Sequence, residues 1–163
     1  MNVRTAVAVG ATPETMQARL AWVRRISLAV LVLVVVEYGL GMYVNLYVAV
    51  PAADHGGSLG GVVSEGPVTL SVHAVLGLLL GLGALAALVH AIRARRWTVI
   101  AAAAVGLFAV AFAAVAGAAF TSTGDTADSM AMSVMTGIAL LCYAINLYLL
   151  GRVGRDGRPV GRQ

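Results

Sequence analysis

The chain has no lysine, a single cysteine, and charged side chains at only 11% of its 163 positions. Each shortage excludes something. One cysteine, Cys142, rules out an intramolecular disulfide. There is no Cys/His zinc spacing, no phosphate-cradling glycine loop and no serine in a nucleophile elbow. No soluble-enzyme chemistry is legible, and an enzymatic role is not expected. With 60% apolar residues and so little charge, a domain of this size cannot hide its apolar surface from water. The mean hydropathy of +0.91 points the same way, to lipid as the solvent.

A membrane-crossing helix needs roughly 20 mostly apolar residues. Four stretches meet that requirement, at about Ile26–Val50, Val68–Ile92, Trp97–Phe120 and Ser129–Leu150. The expected fold is therefore all-α, an integral membrane four-helix bundle in up-down-up-down order. It divides into a cytoplasmic segment over 1–25, the bundle over 26–150 and a basic tail over 151–163. Residues 1–11 read as disordered. Thr12-Pro13-Glu14 then supplies a capping hydroxyl, a proline for the first helical position and an early acid, which predicts a short interfacial helix leading into the first span. That first apolar run is too long for a signal-peptide core and reads as a retained anchor.

The 11 basic residues are all arginines, and their placement sets the orientation. Arg4, Arg19, Arg24 and Arg25 precede the first span. Arg93, Arg95 and Arg96 separate the second from the third, and Arg152, Arg155, Arg158 and Arg162 follow the fourth. The remaining two loops hold acids instead, Asp54, Glu65, Asp125 and Asp128. By the positive-inside rule both termini face the cytoplasm. The arginines read as topological signals and anionic-lipid contacts, not as a nucleic-acid surface. Arginine without lysine, beside abundant Ala, Gly and Val, suggests a GC-rich bacterial genome and hence the bacterial cytoplasmic membrane.

Polar residues inside spans are costly and usually face a bundle interior. Glu37 lies roughly 16 Å into the first span at 1.5 Å per residue, near mid-membrane. It reads either as a proton-relay carboxylate or ligand, or as a carboxyl hydrogen-bonded to a neighbouring helix. His73 sits near the outer start of the second span, where a neutral imidazole is suited to iron or to an interhelical hydrogen bond. Asn45 comes to a similar outer depth, while His90 and Asn146 lie toward the inner face. His55 falls in the glycine-rich outer loop. Met130, Met132 and Met135 form an M-x-M-x-x-M run at the outer mouth of the fourth span. Thioethers suit Cu(I) or an axial haem position, and they equally fill gaps in cores.

Small residues recur at three- or four-residue spacing, as Gly77 and Gly81 in span two and Gly106, Ala109, Ala113 and Gly117 in span three. Such spacing reads as close helix packing. A faint internal repeat relates the two hairpins. Gly41-Met-Tyr-Val-Asn45 aligns with Gly117-Ala-Ala-Phe-Thr121, and His73-Ala-Val-Leu-Gly77 aligns with Ser133-Val-Met-Thr-Gly137.

Three pieces of the chain together resemble one four-helix half of the haem A synthase family. They are Glu37-Tyr-Gly-Leu-Gly41-Met-Tyr-Val-Asn45 with the Gly/Pro-containing loop after it, His73 with Gly77 and the arginines at the inner end of its span, and Ala113–Phe120 leading through a short turn into span four. The resemblance covers most of the chain as pattern. It implies a four-helix bundle with His73 in the place of the second-helix haem ligand. The family's fourth-helix histidine falls near Ser133, and its glutamate falls at Leu70. Haem A synthase activity is therefore not implied. What the resemblance does imply is haem b held by His73, with Met132 or Met135, in a protein accessory to a respiratory or oxidase-assembly complex. Two alternatives stand beside it: a cofactor-free structural subunit of a larger complex or homodimer, and a copper-handling protein using the methionine run.

Overall fold

The computed structural model describes residues 13–48 and 67–156. Among them are four helices: α1 over Pro13–Tyr47, α2 over Val68–Ala94, α3 over Trp97–Thr123 and α4 over Thr126–Asp156. The flanking outer loop with Asp54, His55 and Glu65, the first twelve residues and the tail beyond Asp156 lie outside the described residues. All four helices are long and apolar enough to cross a membrane. No more than 33% of any span's most apolar window is buried within the bundle. The remainder, including Leu78, Leu82 and Leu85 on α2 and Phe108, Phe112 and Val115 on α3, is exposed and needs a lipid environment.

α2 and α3 begin where the sequence places them. The expected interfacial helix and first span are instead one unbroken helix of 35 residues. Pro13 stands at its first position, where its missing N–H costs nothing. Between Pro13 and Tyr47 there is no further proline, so nothing interrupts the hydrogen-bond ladder at the arginines.

Both described connections are two residues long. α2 ends on Arg95, which takes the left-handed conformation at φ 54° and donates its N–H to the Ile92 carbonyl. α3 ends on Gly124 at φ 68°, whose N–H reaches the Phe120 carbonyl. Asp125 then opens α4, its carboxylate accepting from the Ala127 N–H at 2.9 Å. Thr123 Oγ1 contacts Asp128 Oδ2 at 3.0 Å across the same turn.

The buried residues of α1 are Val23, Ser27, Val30, Val34, Glu37, Gly41 and Val44, alternating steps of four and three. α2 repeats the pattern with Leu80, Ala84, Ala87, Ala91 and Ala94, α3 with Val99, Ala103, Gly106 and Val110, and α4 with Ala139, Tyr143, Asn146 and Leu150. A 3.5-residue period is that of knobs-into-holes packing around a common axis. α1 packs on α2, α2 on α3, α3 on α4, and α4 back on α1, which closes a four-membered ring. A Cβ added at Gly83 would meet Val30, at Gly77 Glu37, and at Gly41 His73, so numbering rises along α1 as it falls along α2.

The glycines differ in what they face. Gly106 lies against the Tyr143 ring, which an added Cβ would approach to 3.0 Å. Gly77 faces Glu37, whereas Gly81 has nothing within 4 Å, so these two do not form one seam. Gly106→Ala is expected to lower stability by about 1–3 kcal/mol through overpacking. Gly81→Ala is expected to be neutral or to stabilise by less than about 1 kcal/mol through helix propensity. Thermal unfolding of the two variants in detergent, compared with the parent, checks the contrast.

Candidate functional site

Glu37 sits on the buried stripe of α1 and is 7% exposed. Its Oε1 lies 3.0 Å from His73 Nδ1 of α2. That distance is within hydrogen-bonding range, but the contact lacks the direction of a hydrogen bond: His73 Nδ1 and Glu37 Oε2 both lack a hydrogen-bond partner among the described residues. We therefore treat the pair as an electrostatic contact whose alignment is incomplete. With Nδ1 turned to the carboxylate, the opposite ring nitrogen, Nε2, is left for another partner.

Three glycines on three different helices make room for the side chains of this level. A Cβ at Gly41 of α1 would come within 3.2 Å of the His73 ring. One at Gly77 of α2 would come within 3.1 Å of Glu37 Oε1, and one at Gly117 of α3 within 3.2 Å of Met132 Sδ. Each separation is shorter than ordinary van der Waals contact, so alanine at any of the three would push on an imidazole, a carboxylate or a thioether.

Beside the pair is a cleft of about 40 Å³. Glu37, Tyr38, Gly41, Met42 and Asn45 line it from α1, His73 from α2, and Ser129, Met132, Ser133 and Thr136 from α4. It lies at the arginine-poor end of the bundle. There Ser129 Oγ and Asn45 Oδ1 approach to 3.2 Å and link α1 to α4. The hydroxyls of Ser133 and Thr136 are turned back to the carbonyls of Ser129 and Met132 on their own helix. A single water needs roughly 10–15 Å³, so the cleft has space for about two or three waters or a monatomic ion.

The residues singled out from the sequence divide here. Glu37, His73, Asn45 and Met132 converge on one cleft. Met135 packs instead against the central apolar cluster, and Met130 is 70% exposed. Met130 thus faces away from the other two, as helical geometry requires of positions two and five residues apart, while Met135, three residues from Met132 on the same face, lies one turn deeper against the core. Asn146 is fully buried in the other half of the bundle. Leu70 is buried, and Ser133 lines the cleft. The sequence reading missed Met42, Tyr38 and Thr136. Gly41 and Gly117 appear in it as members of a repeat, of the resembling segment and of a small-residue seam, without their side-chain neighbours. The structure gives that alignment a counterpart, since Gly41 lies on His73 in the first hairpin and Gly117 on Met132, the residue before Ser133, in the second.

A porphyrin needs a pocket of several hundred Å³. The cleft is about 40 Å³, and the space beside each glycine is taken up by His73, Glu37 and Met132 themselves. The residues present do not fit haem b within the closed bundle. Among the described residues no three His, Cys, Asp or Glu side chains cluster as a metal site. Compared with family models, with curated proteins and with solved structures, the chain gives no match. The chemistry of the site rests on its own geometry.

A buried carboxylate stripped of its only partner is strongly destabilising, while replacing both members by apolar residues is often neutral. His73→Ala is expected to cost about 3–5 kcal/mol. The double variant Glu37→Leu/His73→Leu is expected to recover most of that loss. A double-mutant cycle read by unfolding in detergent measures it, and additive losses would show that the two side chains do not act as a pair.

Proposed function

We propose that this is a four-span membrane protein, its arginine-rich end in the bacterial cytoplasm, that binds one soft monovalent metal ion, Cu(I), in the outer half of the bundle. The observation that carries the reading is the glycine-cradled level at which Glu37, His73 and Met132 meet a small shared cleft. The opposed numbering of α1 and α2, of α3 and α4 through the Gly106–Tyr143 and Gly117–Met132 contacts, and of α1 and α4 through Asn45–Ser129 supports up-down-up-down order. The 11-to-0 distribution of arginines between the two ends supports N-in, C-in topology.

The donor set favours a soft ion. His73 Nε2 offers one nitrogen and Met132 a thioether, with the half-exposed Met42 also lining the cleft, a combination suited to Cu(I). Glu37 acts as the partner of a ligating histidine, turning Nδ1 toward itself and so fixing which nitrogen binds. The site holds a single acid, which can offset at most one positive charge, whereas a divalent ion would leave a net charge in a medium where uncompensated charge is expensive. At the opposite end, Arg25 lies 6.0 Å over the Trp22 ring and Arg152 5.7 Å over Tyr148. Interfacial aromatics beside arginines suit an anionic-lipid surface.

The resemblance to a haem A synthase half carries the second reading, haem b at His73 in an accessory of a respiratory or oxidase-assembly complex. The observation in its favour is the same free Nε2, and the volume of the cleft weighs against it. Titrating detergent-purified protein with Cu(I) under anaerobic, reducing conditions against a chromophoric chelator separates the two. One Cu(I) per chain is expected, with affinity at least tenfold weaker in His73→Ala and Met132→Leu and unchanged in Met130→Leu and Met135→Leu. Equal binding by Met132→Leu and the parent would remove the copper reading. A Soret band after expression with haem, lost in His73→Ala, would replace it with the second. For the topology, a Cys142→Ala background is used. Asp125→Cys is expected to react with an impermeant maleimide on intact cells, and Arg95→Cys only after permeabilisation.

A further inference from the structure

The half of the bundle nearer the arginines holds a second polar layer, unconnected with the cleft. Ser27 on α1 and Tyr143 and Asn146 on α4 are each 0% exposed. Ser27 Oγ, Tyr143 OH and both polar atoms of the Asn146 amide make no hydrogen bond to any described residue. Four unsatisfied polar atoms in one small layer are far more than native packing tolerates, since each such group costs about 1–3 kcal/mol.

Helical rise brings Ser27 and Asn146 to one level, with Tyr143 about one helical turn nearer the cleft, where its ring joins the Val30 and Val34 cluster. Asn45 meets Ser129. Ser27 lies eighteen residues back along α1 and Asn146 seventeen residues on along α4, so the two are level at equal rise. Gly106 meets Tyr143, which sets Ala103 level with Asn146, and Val30 meets Gly83, which sets Ala86 and Ala87 level with Ser27. On their buried faces, α2 and α3 thus contribute only alanine and glycine here. They offer no side-chain partner to the three polar residues. Apolar layers close the level on both sides. Val30, Val34, Leu80 and Ala84 lie above, and Val23, Ala91, Val99 and Leu150 lie below.

We propose that Ser27, Tyr143 and Asn146 form a buried water-binding site that clamps α1 to α4. The chemistry selects water over an ion. The groups are neutral and include donors as well as acceptors: the Asn146 NH₂ and two hydroxyls beside the Asn146 carbonyl. A cation would face an N–H donor and no countercharge, because the nearest acid on α1, Glu37, is ten residues or about 15 Å farther along. Water uses both kinds of group and commonly makes about three hydrogen bonds in such a place.

Infrared spectra of the protein in lipid films, hydrated with H₂¹⁶O or H₂¹⁸O, read the site directly. The parent is expected to show an O–H stretch that persists on drying and moves with the oxygen isotope. Asn146→Leu is expected to lose that band, and Tyr143→Phe, which removes only one hydroxyl, to shift or weaken it. Asn146→Leu is also expected to unfold at a lower temperature than the parent, because it breaks the clamp. The proposal is overturned by the absence of an isotope-sensitive band in the parent, by a band that Asn146→Leu and Tyr143→Phe leave unchanged, or by a higher unfolding temperature in Asn146→Leu. That last result would mean the amide is simply orphaned. Copper binding is read separately, and its outcome does not bear on this one.

Discussion

A carboxylate in the interior of a lipid-embedded bundle needs a counterpart within a few ångströms, and the contact between Glu37 and His73 is the constraint around which this structure is arranged. Two helices must approach closely at that level for a carboxylate and an imidazole to meet. Gly41 and Gly77 permit the approach, each placed where its missing Cβ gives space to the other helix's ionisable side chain. The orientation of His73 follows from the same contact. A ring whose Nδ1 faces the carboxylate carries Nε2 on its far side. The same glycine device recurs at Gly117 with Met132, so that soft and ionisable groups share one cross-section of the bundle.

The helices themselves were plainly legible in the sequence, because twenty apolar residues in a row admit few other structures. The starts of α2 and α3 could be read to the residue. The buried stripes could not. In a soluble protein the inward face is the apolar one and periodicity reveals it. Here the outward face meets lipid and is equally apolar, as Leu78, Leu82 and Leu85 are. What marks the interior is small size and polarity: alanine at 84, 87, 91 and 94, and Ser27, Glu37 and Asn146 on the same 3.5-residue stripes. That signal is weak to a hydrophobicity reading and stronger to one that counts volume.

The site was legible in its members but not in its pairing. Glu37 and His73 stand out individually as ionisable residues in spans, but depth counted from the outer span ends, Val50 and Val68, separates them by eight residues or roughly 12 Å. In the folded bundle Gly41 faces His73 and Gly77 faces Glu37, which brings the two to about one turn apart, a step that their side chains bridge. The methionine run divides along its helix. Met130, two residues before Met132, faces nearly the opposite way, while Met135, three residues after it, lies one turn deeper against the central cluster. The other methionine that lines the cleft is Met42, on another helix, at a position with no local motif to mark it.

Along its axis the bundle alternates in character. The polar cleft at the arginine-poor end gives way to an apolar layer around Val30, Val34 and Leu80, then to the level of Ser27 and Asn146, then to a second apolar layer around Val23 and Val99. Hydrophobic matching cannot choose among helix registers when lipid and interior are alike, because a sliding helix exchanges one apolar contact for another. Polar layers can, since a shift of even one turn would carry Glu37 away from His73, or Asn146 from the level of Ser27, and leave a charge or an amide against valine. Two such layers, set roughly ten residues apart on α1, fix both tilt and register where a single one would act as a pivot. The costly residues of this chain thereby specify which of many equally apolar packings is adopted. A cleft built at one of those fixed layers inherits a geometry that the surrounding apolar residues do not supply.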